Sequence, residues 1–119
     1  MEPGNVNLDN VSCRSEIPND FAAIHQMLLL AFPKEHVATL VKNIRRTQGY
    51  DQELSLVAEL EGTITGYLMF THVYIESDSG NAPAIMLAPL AVHPKWQNQG
   101  IGSLLTLYGL EQCRRLGNQ

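Results

Sequence analysis

The sequence has little cysteine and few basic residues, and each scarcity excludes a class of function. Its 119 residues include 2 cysteines and 1 tryptophan, and 8 Lys and Arg stand against 12 Asp and Glu, which gives a formal net charge of −4. Cys13 and Cys113 form no CxxC pair or Cys/His cluster, so neither a disulfide framework nor a zinc site is indicated. An acidic chain also lacks the charge that attracts nucleic acids and anionic membranes. We expect no nucleic-acid or membrane partner and no metal.

Long apolar runs and an export signal are also missing. The first ten residues, MEPGNVNLDN, are polar and contain no basic flank followed by an apolar stretch. The longest apolar stretch, around residues 27–32, is far shorter than the roughly 20 residues of a membrane span. We therefore expect a cytoplasmic protein with a disordered lead-in over residues 1–10 and one domain over residues 11–119, because the length fits a single domain of about 100–150 residues.

The hydrophobic periodicity predicts an α/β chain with a mostly antiparallel central sheet flanked by helices. Apolar residues at steps of three and four indicate helices, and alternating or continuous apolar stretches indicate strands. The predicted helices are residues 21–32, 37–46 and 100–116, and the predicted strands are residues 11–17, 53–60, 63–76 and 84–92. The strand over residues 63–76 is apolar on both faces, which predicts helices on both sides of the sheet.

Turn and cap residues refine this outline. Glu61-Gly62 predicts a two-residue hairpin turn, since Gly supplies the positive φ that such a turn needs. Asn19 or Asp20 is expected to cap the first helix with its side chain. Pro89 requires the last strand to bulge or to lie at the edge of the sheet.

The most informative segment is residues 87–103, LAPLAVHPKWQNQGIGS, which combines an apolar strand, a polar loop and the start of a helix. The first backbone N–H groups of a helix lack intrahelical partners and form a site for phosphate. Gly100 and Gly102 leave room for a bulky anion to approach the backbone, and Lys95 adds a positive charge nearby. An anion site at this loop is therefore compatible with the net acidity of the chain.

Three anion-binding loops share this order of elements. A P-loop requires GxxxxGK followed by Ser or Thr, and the sequence contains no such string. A Rossmann fingerprint requires a third Gly or Ala where this chain has Leu105, and an acidic residue about 20 positions further on. Gln97, Gly100 and Gly102 match the third pattern, Gln/Arg-x-x-Gly-x-Gly/Ala. With this pattern the segment resembles the acyl-CoA pyrophosphate loop of the GNAT superfamily of N-acyltransferases.

The resemblance covers residues 11–116 and implies a GNAT-like fold, acetyl-CoA as the cofactor and direct transfer of an acetyl group to an amine. It implies that the last strand contacts pantetheine through its backbone, that an N–H near Leu90 polarises the thioester carbonyl, and that loop amides hold the pyrophosphate. The implied cofactor-binding residues are Leu90, Ala91, Val92, Gln97, Asn98, Gln99, Gly100, Ile101, Gly102 and Ser103.

The resemblance also shows where this chain departs from the family. A full GNAT domain continues with a further strand, a helix that often carries a Tyr acting as general acid, and one or two final strands. Residues 11–119 are therefore expected to be the N-terminal portion of such a domain, as in a truncated protein. An apolar strand left unpaired at an edge favours association, so we expect a homo-oligomer or a partner that completes the sheet.

The sequence identifies no catalytic residue and no acceptor. Acetyl transfer to an amine needs a base and an acid, yet the strand over residues 84–92 contains no Asp, Glu or His. His72 is expected to be a packed, hydrogen-bonded residue, His93 a loop cap and Cys113 a core residue, while Glu76, Tyr67 and Tyr74 receive no role. Three hypotheses stay open: an acetyl-CoA-dependent N-acetyltransferase, a non-catalytic acetyl-CoA-binding regulatory module, and an inactive remnant.

Overall fold

A four-stranded antiparallel sheet forms the centre of the structure, a computed structural model that describes residues 7–117. The strands are β1 (Val11–Ser15), β2 (Tyr50–Leu60), β3 (Thr63–Ser77) and β4 (Gly80–Val92), and the helices are α1 (Phe21–Ala31), α2 (His36–Ile44) and α3 (Ile101–Arg115). The strands lie side by side in chain order, each antiparallel to the next. The predicted α/β architecture with an antiparallel sheet is confirmed.

Helices cover both faces of this sheet. On the α1/α2 face, Ile24, Met27 and Leu28 of α1 pack with Tyr67 and Met69 of β3. On the α3 face, a second cluster contains Leu54, Leu56, Leu68, Phe70, Ile101 and Leu105. Because Tyr67 and Met69 alternate with Leu68 and Phe70, β3 is buried on both faces. Helices on both sides of the sheet are thus confirmed.

The two hairpins differ in how well the sequence predicts them. Glu61 and Gly62 have φ values of 50° and 82°, and positive φ at both positions is the conformation of a two-residue hairpin turn, as predicted. The second turn is shorter than the predicted turn over residues 77–81, because β3 continues to Ser77 and β4 already begins at Gly80. The Ser77 hydroxyl donates to the carbonyl oxygen of Gly80 at 2.9 Å and closes this turn.

The last strand, β4, has both features that Pro89 predicts. It is the outer strand of the described sheet. Leu90 pairs with Leu68 and Leu87 pairs with Phe70, so two residues of β4 stand opposite a single residue of β3, which is a β-bulge.

Two local predictions need correction. Leu8–Asn10 belong to the expected disordered lead-in but form a 3-10 turn, in which the Asn7 side chain accepts a hydrogen bond from the N–H of Asp9; residues 1–6 lie outside the described residues. Asp20 stands at the start of α1, but its carboxylate accepts hydrogen bonds from Arg14 and from the N–H of Ile17, and it does not cap α1. The carboxylate binds Arg14 instead of the first N–H groups of α1 because the guanidinium offers two donors and a full charge.

Candidate functional site

A groove opens between the end of β4 and the beginning of α3. One part is a cavity of about 370 Å³ lined by Leu90, Val92, Gln97, Asn98, Gly100, Gly102 and Ser103. It continues as a cavity of about 500 Å³ over Leu90, Gly102, Ser103, Thr106 and Leu107. We call the two parts together the β4–α3 groove. The fold brings seven of the ten predicted cofactor-binding residues together along this groove.

The loop before α3 aims backbone donors into the groove. Asn98 and Gly100 have φ values of 65° and 89°, and the second of these favours glycine because a Cβ is strained there. The N–H of Leu104 bonds to the carbonyl oxygen of Gly100 at 3.0 Å. The N–H groups of Gly102 and Ser103 precede this bond, so they belong to the N-terminal donors that a helix leaves for a ligand. The positive end of the helix dipole lies at the same place.

None of the residues that line this groove carries a charge. Lys95, which the sequence suggests as an additional positive charge, places its Nζ 5.0 Å from the centre of the Trp96 ring and is not among the lining residues. An anion in the β4–α3 groove therefore depends on backbone N–H groups and on the polar side chains of the loop.

The end of β4 presents backbone groups to its free edge. The N–H of His93 points to β3, where it donates to the carbonyl oxygen of Thr65 at 2.8 Å, whereas the carbonyl oxygen of Val92 points outward and accepts from Nε2 of Gln97 at 3.1 Å. Because backbone groups alternate in direction along a strand, the N–H and carbonyl of Leu90 also point outward. The backbone at Leu90 is thus available to a ligand that lies along this edge.

Three predicted site residues contribute differently. Ala91 is buried in the cluster on the α1/α2 face, and Ile101 is buried in the cluster on the α3 face. Their side chains therefore face the core, and neither residue lines the groove. Gln99 is half-buried and is not among the lining residues.

The structure adds two groups that the sequence analysis does not identify. Thr106 and Leu107 extend the groove along α3, and their positions three and four residues after Ser103 place them on the same helix face, which is the signal that could have found them. Leu8 packs against the loop, since its Cδ1 lies 3.1 Å from the position that a Cβ on Gly100 would occupy. No sequence pattern links residues so distant in the chain.

The other candidate residues have structural roles. Nε2 of His72 lies 3.0 Å from Oδ2 of Asp51, which confirms the hydrogen bond, but His72 is exposed, so the prediction that it is packed is wrong. Nδ1 of His93 accepts from the N–H of Lys95 at 3.1 Å, which confirms a loop cap. Burial raises the pKa of the Cys113 thiol, and a protonated thiol in a core is a poor nucleophile. Tyr67 is buried, with its hydroxyl 2.6 Å from that of Ser55.

Over residues 7–117, no helix is long and apolar enough to cross a membrane, and no three His, Cys, Asp or Glu side chains come together as a metal site. The residues that line the β4–α3 groove also include no Asp, Glu, His or Tyr. The backbone donors of the groove can bind an anion, but its side chains include no group that could act as a strong base.

Sequence comparison places this chain among acetyltransferases. The profile of the Acetyltransferase (GNAT) family matches residues 21–119. YjhQ of Escherichia coli K12, named an uncharacterized N-acetyltransferase, is 32% identical over 101 residues, which are 85% of this chain and 56% of YjhQ. The chain thus spans little more than half the length of this relative.

Solved structures show the same fold. A GNAT family acetyltransferase from Brucella melitensis, solved in complex with acetyl-CoA, matches 91% of this chain and 71% of its own with a TM-score of 0.81 and 31% identity. YhbS from Escherichia coli, solved in complex with CoA, matches 92% of this chain and 59% of its own with a TM-score of 0.78 and 27% identity.

Proposed function

This chain belongs to the GNAT family of acetyltransferases, and from that premise we propose that residues 11–119 are the cofactor-binding, N-terminal portion of an acetyl-CoA-dependent N-acetyltransferase. The observation that carries the proposal is the β4–α3 groove, where unpaired helix donors and an outward-facing strand edge meet. Two similar proteins are solved with acetyl-CoA or CoA, which supports the same ligand here.

Different parts of the groove would bind different parts of acetyl-CoA. The N–H groups of Gly102 and Ser103 would hold the pyrophosphate, as helix N-termini do. The pantetheine arm would lie along the free edge of β4, with the N–H of Leu90 donating to the thioester carbonyl oxygen. The amine nitrogen then attacks the carbonyl carbon, the sulfur leaves as thiolate, and the proton lost by the amine balances the proton gained by the thiolate. We assign no residue to these proton transfers.

We further propose that a second copy or a partner chain completes the sheet beside the part of β4 that precedes the bulge, so that the edge at Leu90 stays open to the ligand. The support is the free edge of β4 together with the exposed side chains of Met86 and Leu87, since such apolar surface favours association. Light scattering tests the second copy, and a monomer at all concentrations would contradict it and leave only a different partner chain. Cys13 and Cys113 are free thiols, which supports a reducing, cytoplasmic setting.

A second candidate is an acetyl-CoA-binding module without turnover. The observation that favours it is the lining of the groove, which contains no carboxylate, imidazole or phenol. A binding module needs the backbone donors of Gly102 and Ser103 but no base. The two candidates share the cofactor site and differ in whether free CoA appears when an amine is added.

Calorimetric titration of acetyl-CoA, with ATP as a control, tests the shared site first. Trp96 is the single tryptophan, so its emission gives an independent readout close to the loop. Ser103→Leu places a larger side chain in the groove, and we expect it to weaken binding at least about tenfold. Ser12→Leu is the matched control, since Ser12 is exposed on β1 at the opposite edge of the sheet.

The outcomes separate the candidates. Binding that Ser103→Leu weakens and Ser12→Leu preserves supports the cofactor site, and release of free thiol with a panel of amines then identifies an enzyme. Binding without thiol release favours the regulatory module. Absence of binding at about 1 mM acetyl-CoA, the limit of weak specific affinity, would contradict both and leave the inactive remnant.

A further inference from the structure

A second concave site lies on the other side of the sheet, in the groove between α1 and α2. It is a cavity of about 560 Å³, with Phe21, His25 and Gln26 of α1 on one wall and Lys42, Arg45 and Arg46 at the end of α2 on the other. We call it the basic groove. It shares no lining residue with the β4–α3 groove, and its volume falls in the range of about 300–1,000 Å³ that is usual for small-molecule sites.

The basic groove concentrates positive charge on an acidic chain. Three of the 8 Lys and Arg residues line it, although the net charge is −4. The carboxylate of Glu16 lies beneath and binds Nη2 and Nε of Arg45 at 2.8 and 3.1 Å. Over residues 7–117, Lys42 and Arg46 take part in none of the ion pairs. Their charges are therefore not neutralised by the fold.

Arg45 and Phe21 stack on each other where the two walls of this groove meet. The guanidinium carbon of Arg45 lies 3.9 Å from the centre of the Phe21 ring, in a stacked cation–π arrangement. Because Glu16 holds the same guanidinium from below, both side chains are positioned before a ligand arrives. Phe21 thus offers an ordered apolar surface next to unpaired cations.

The two unpaired cations, Lys42 and Arg46, line the same cavity. Lys42 lies in the last turn of α2 and Arg46 lies two residues beyond its end, and both line this one cavity, so their like charges repel. The dipole at the end of α2 favours cations there, but it acts equally on side chains that extend into solvent. It does not explain why these cations line a cavity with Phe21 and His25, whereas an anion between them relieves the repulsion.

We propose that the basic groove binds a small organic anion, with a phosphate or carboxylate head between Lys42 and Arg46 and an apolar body against Phe21. This site is separate from the proposed cofactor groove, because the sheet lies between them. The proposal does not depend on acetyl-CoA binding, and it predicts a second ligand for the same chain.

Phenyl phosphate is the probe, and amide NMR shifts of the ¹⁵N-labelled chain show where it binds. We expect saturable shifts at Gln26 and Arg46, with an affinity at least about fivefold higher than for inorganic phosphate because of the Phe21 surface. Phenylacetate tests the carboxylate head, and benzyl alcohol is the neutral control. Shifts confined to Gly102 and Ser103, or equal binding of benzyl alcohol, would overturn the proposal.

Charge-neutralising variants distinguish a site from general attraction. The double variant Lys42→Gln/Arg46→Gln is expected to weaken phenyl phosphate binding at least about tenfold. Arg114→Gln/Arg115→Gln is the matched control, because it removes the same charge from the exposed last turn of another helix. Equal weakening by both double variants, or no saturable shift with the unaltered chain at about 20 mM probe, would show that the groove is not a binding site.

Discussion

The two faces of the sheet are held by different interactions. On the α1/α2 face, the fully buried carboxylate of Glu16 binds Arg45 and accepts a hydrogen bond from the Tyr50 hydroxyl at 2.6 Å. The cluster of buried side chains on the α3 face is apolar, and Gly109 allows Phe70 to approach the helix closely. The α1/α2 layer thus combines apolar packing with a buried charge network, whereas the α3 layer depends on close apolar packing.

This difference extends to the two grooves. The charge network on the α1/α2 face leaves Lys42 and Arg46 at the surface, so the basic groove presents side-chain cations. Close packing of α3 instead fixes the height of its first turn above the sheet, so the β4–α3 groove presents backbone N–H groups. The first kind of site depends on ionisable side chains, and the second on backbone geometry, which is what the following predictions test.

The largest expected effect is the loss of the buried charge. Glu16→Gln leaves the Arg45 guanidinium without its counter-charge, which is expected to cost about 3–5 kcal/mol of the free energy of unfolding. Urea denaturation followed by circular dichroism measures it. Glu59→Gln is the control, because Glu59 pairs with Arg14 at 3.2 Å in a more exposed setting and is expected to cost less than about 1 kcal/mol. Equal losses of unfolding free energy in the two variants would contradict a special role for the buried charge of Glu16.

A methyl group at Gly109 tests the apolar face. A Cβ there would lie 2.5 Å from Cε2 of Phe70 and 2.9 Å from Cδ2 of Leu68, so Gly109→Ala is expected to destabilise the fold by about 1–3 kcal/mol through overpacking. This loss exceeds the roughly 1 kcal/mol that Ala gains in helix propensity. Thermal unfolding measures the difference, and Phe70→Leu in the same chain is expected to recover part of it. A more stable Gly109→Ala variant would contradict close packing.

The backbone of the anion loop is tested at Gly100. Its φ is 89°, and Gly100→Ala strains this conformation by about 1–2 kcal/mol and crowds Leu8. We expect acetyl-CoA to bind about tenfold more weakly in calorimetry. Gly117→Ala is the control, because Gly117 has a φ of 83° with nothing within 4 Å of its Cβ position. If both variants bind acetyl-CoA like the unaltered chain, the loop conformation does not determine affinity.

The smallest effect is a dependence on acid. The hydrogen bond from Arg14 lowers the pKa of Asp20, so this group stabilises the fold above its unfolded pKa of about 3.9 and loses that contribution as pH falls through the lowered folded pKa. Asp20→Asn is expected to be less stable than the unaltered chain at neutral pH and to approach it in acid. Urea midpoints at both pH values measure this, and a difference that does not change with pH would count against the ion pair.

Local chemistry explains which features the sequence predicts. Gly62 permits a positive φ and Pro89 lacks a backbone N–H whatever surrounds them, so the hairpin turn and the bulge follow from single residues. The glycines of the anion loop are equally local signals. These residues carry most of the predictable fold and the predictable part of the candidate site.

Features that depend on packing between distant segments are not predictable in this way. Helical periodicity places Lys42, Arg45 and Arg46 near the end of α2, but it does not show that α1 crosses there and turns them into one wall of a groove. Two other contacts likewise depend on how the elements pack together. Leu8 contacts the loop at Gly100, and Arg14 forms an ion pair with Asp20. Sequence periodicity describes each element separately, and these contacts arise between elements.

The bulge in β4 divides this strand into two frames of alternation. Ala91 packs on the α1/α2 face, while Ile85, six residues earlier and therefore of the same parity, packs on the α3 face. Residues six apart in a regular strand lie on one face, so the opposite faces of Ile85 and Ala91 are a result of the bulge between them. Deleting Ala88 would leave these two residues five apart, so a regular strand would present the same faces and pair with β3 one to one. The extra residue is therefore not needed to bury either side chain, and its structural effect is confined to the backbone beside Leu90.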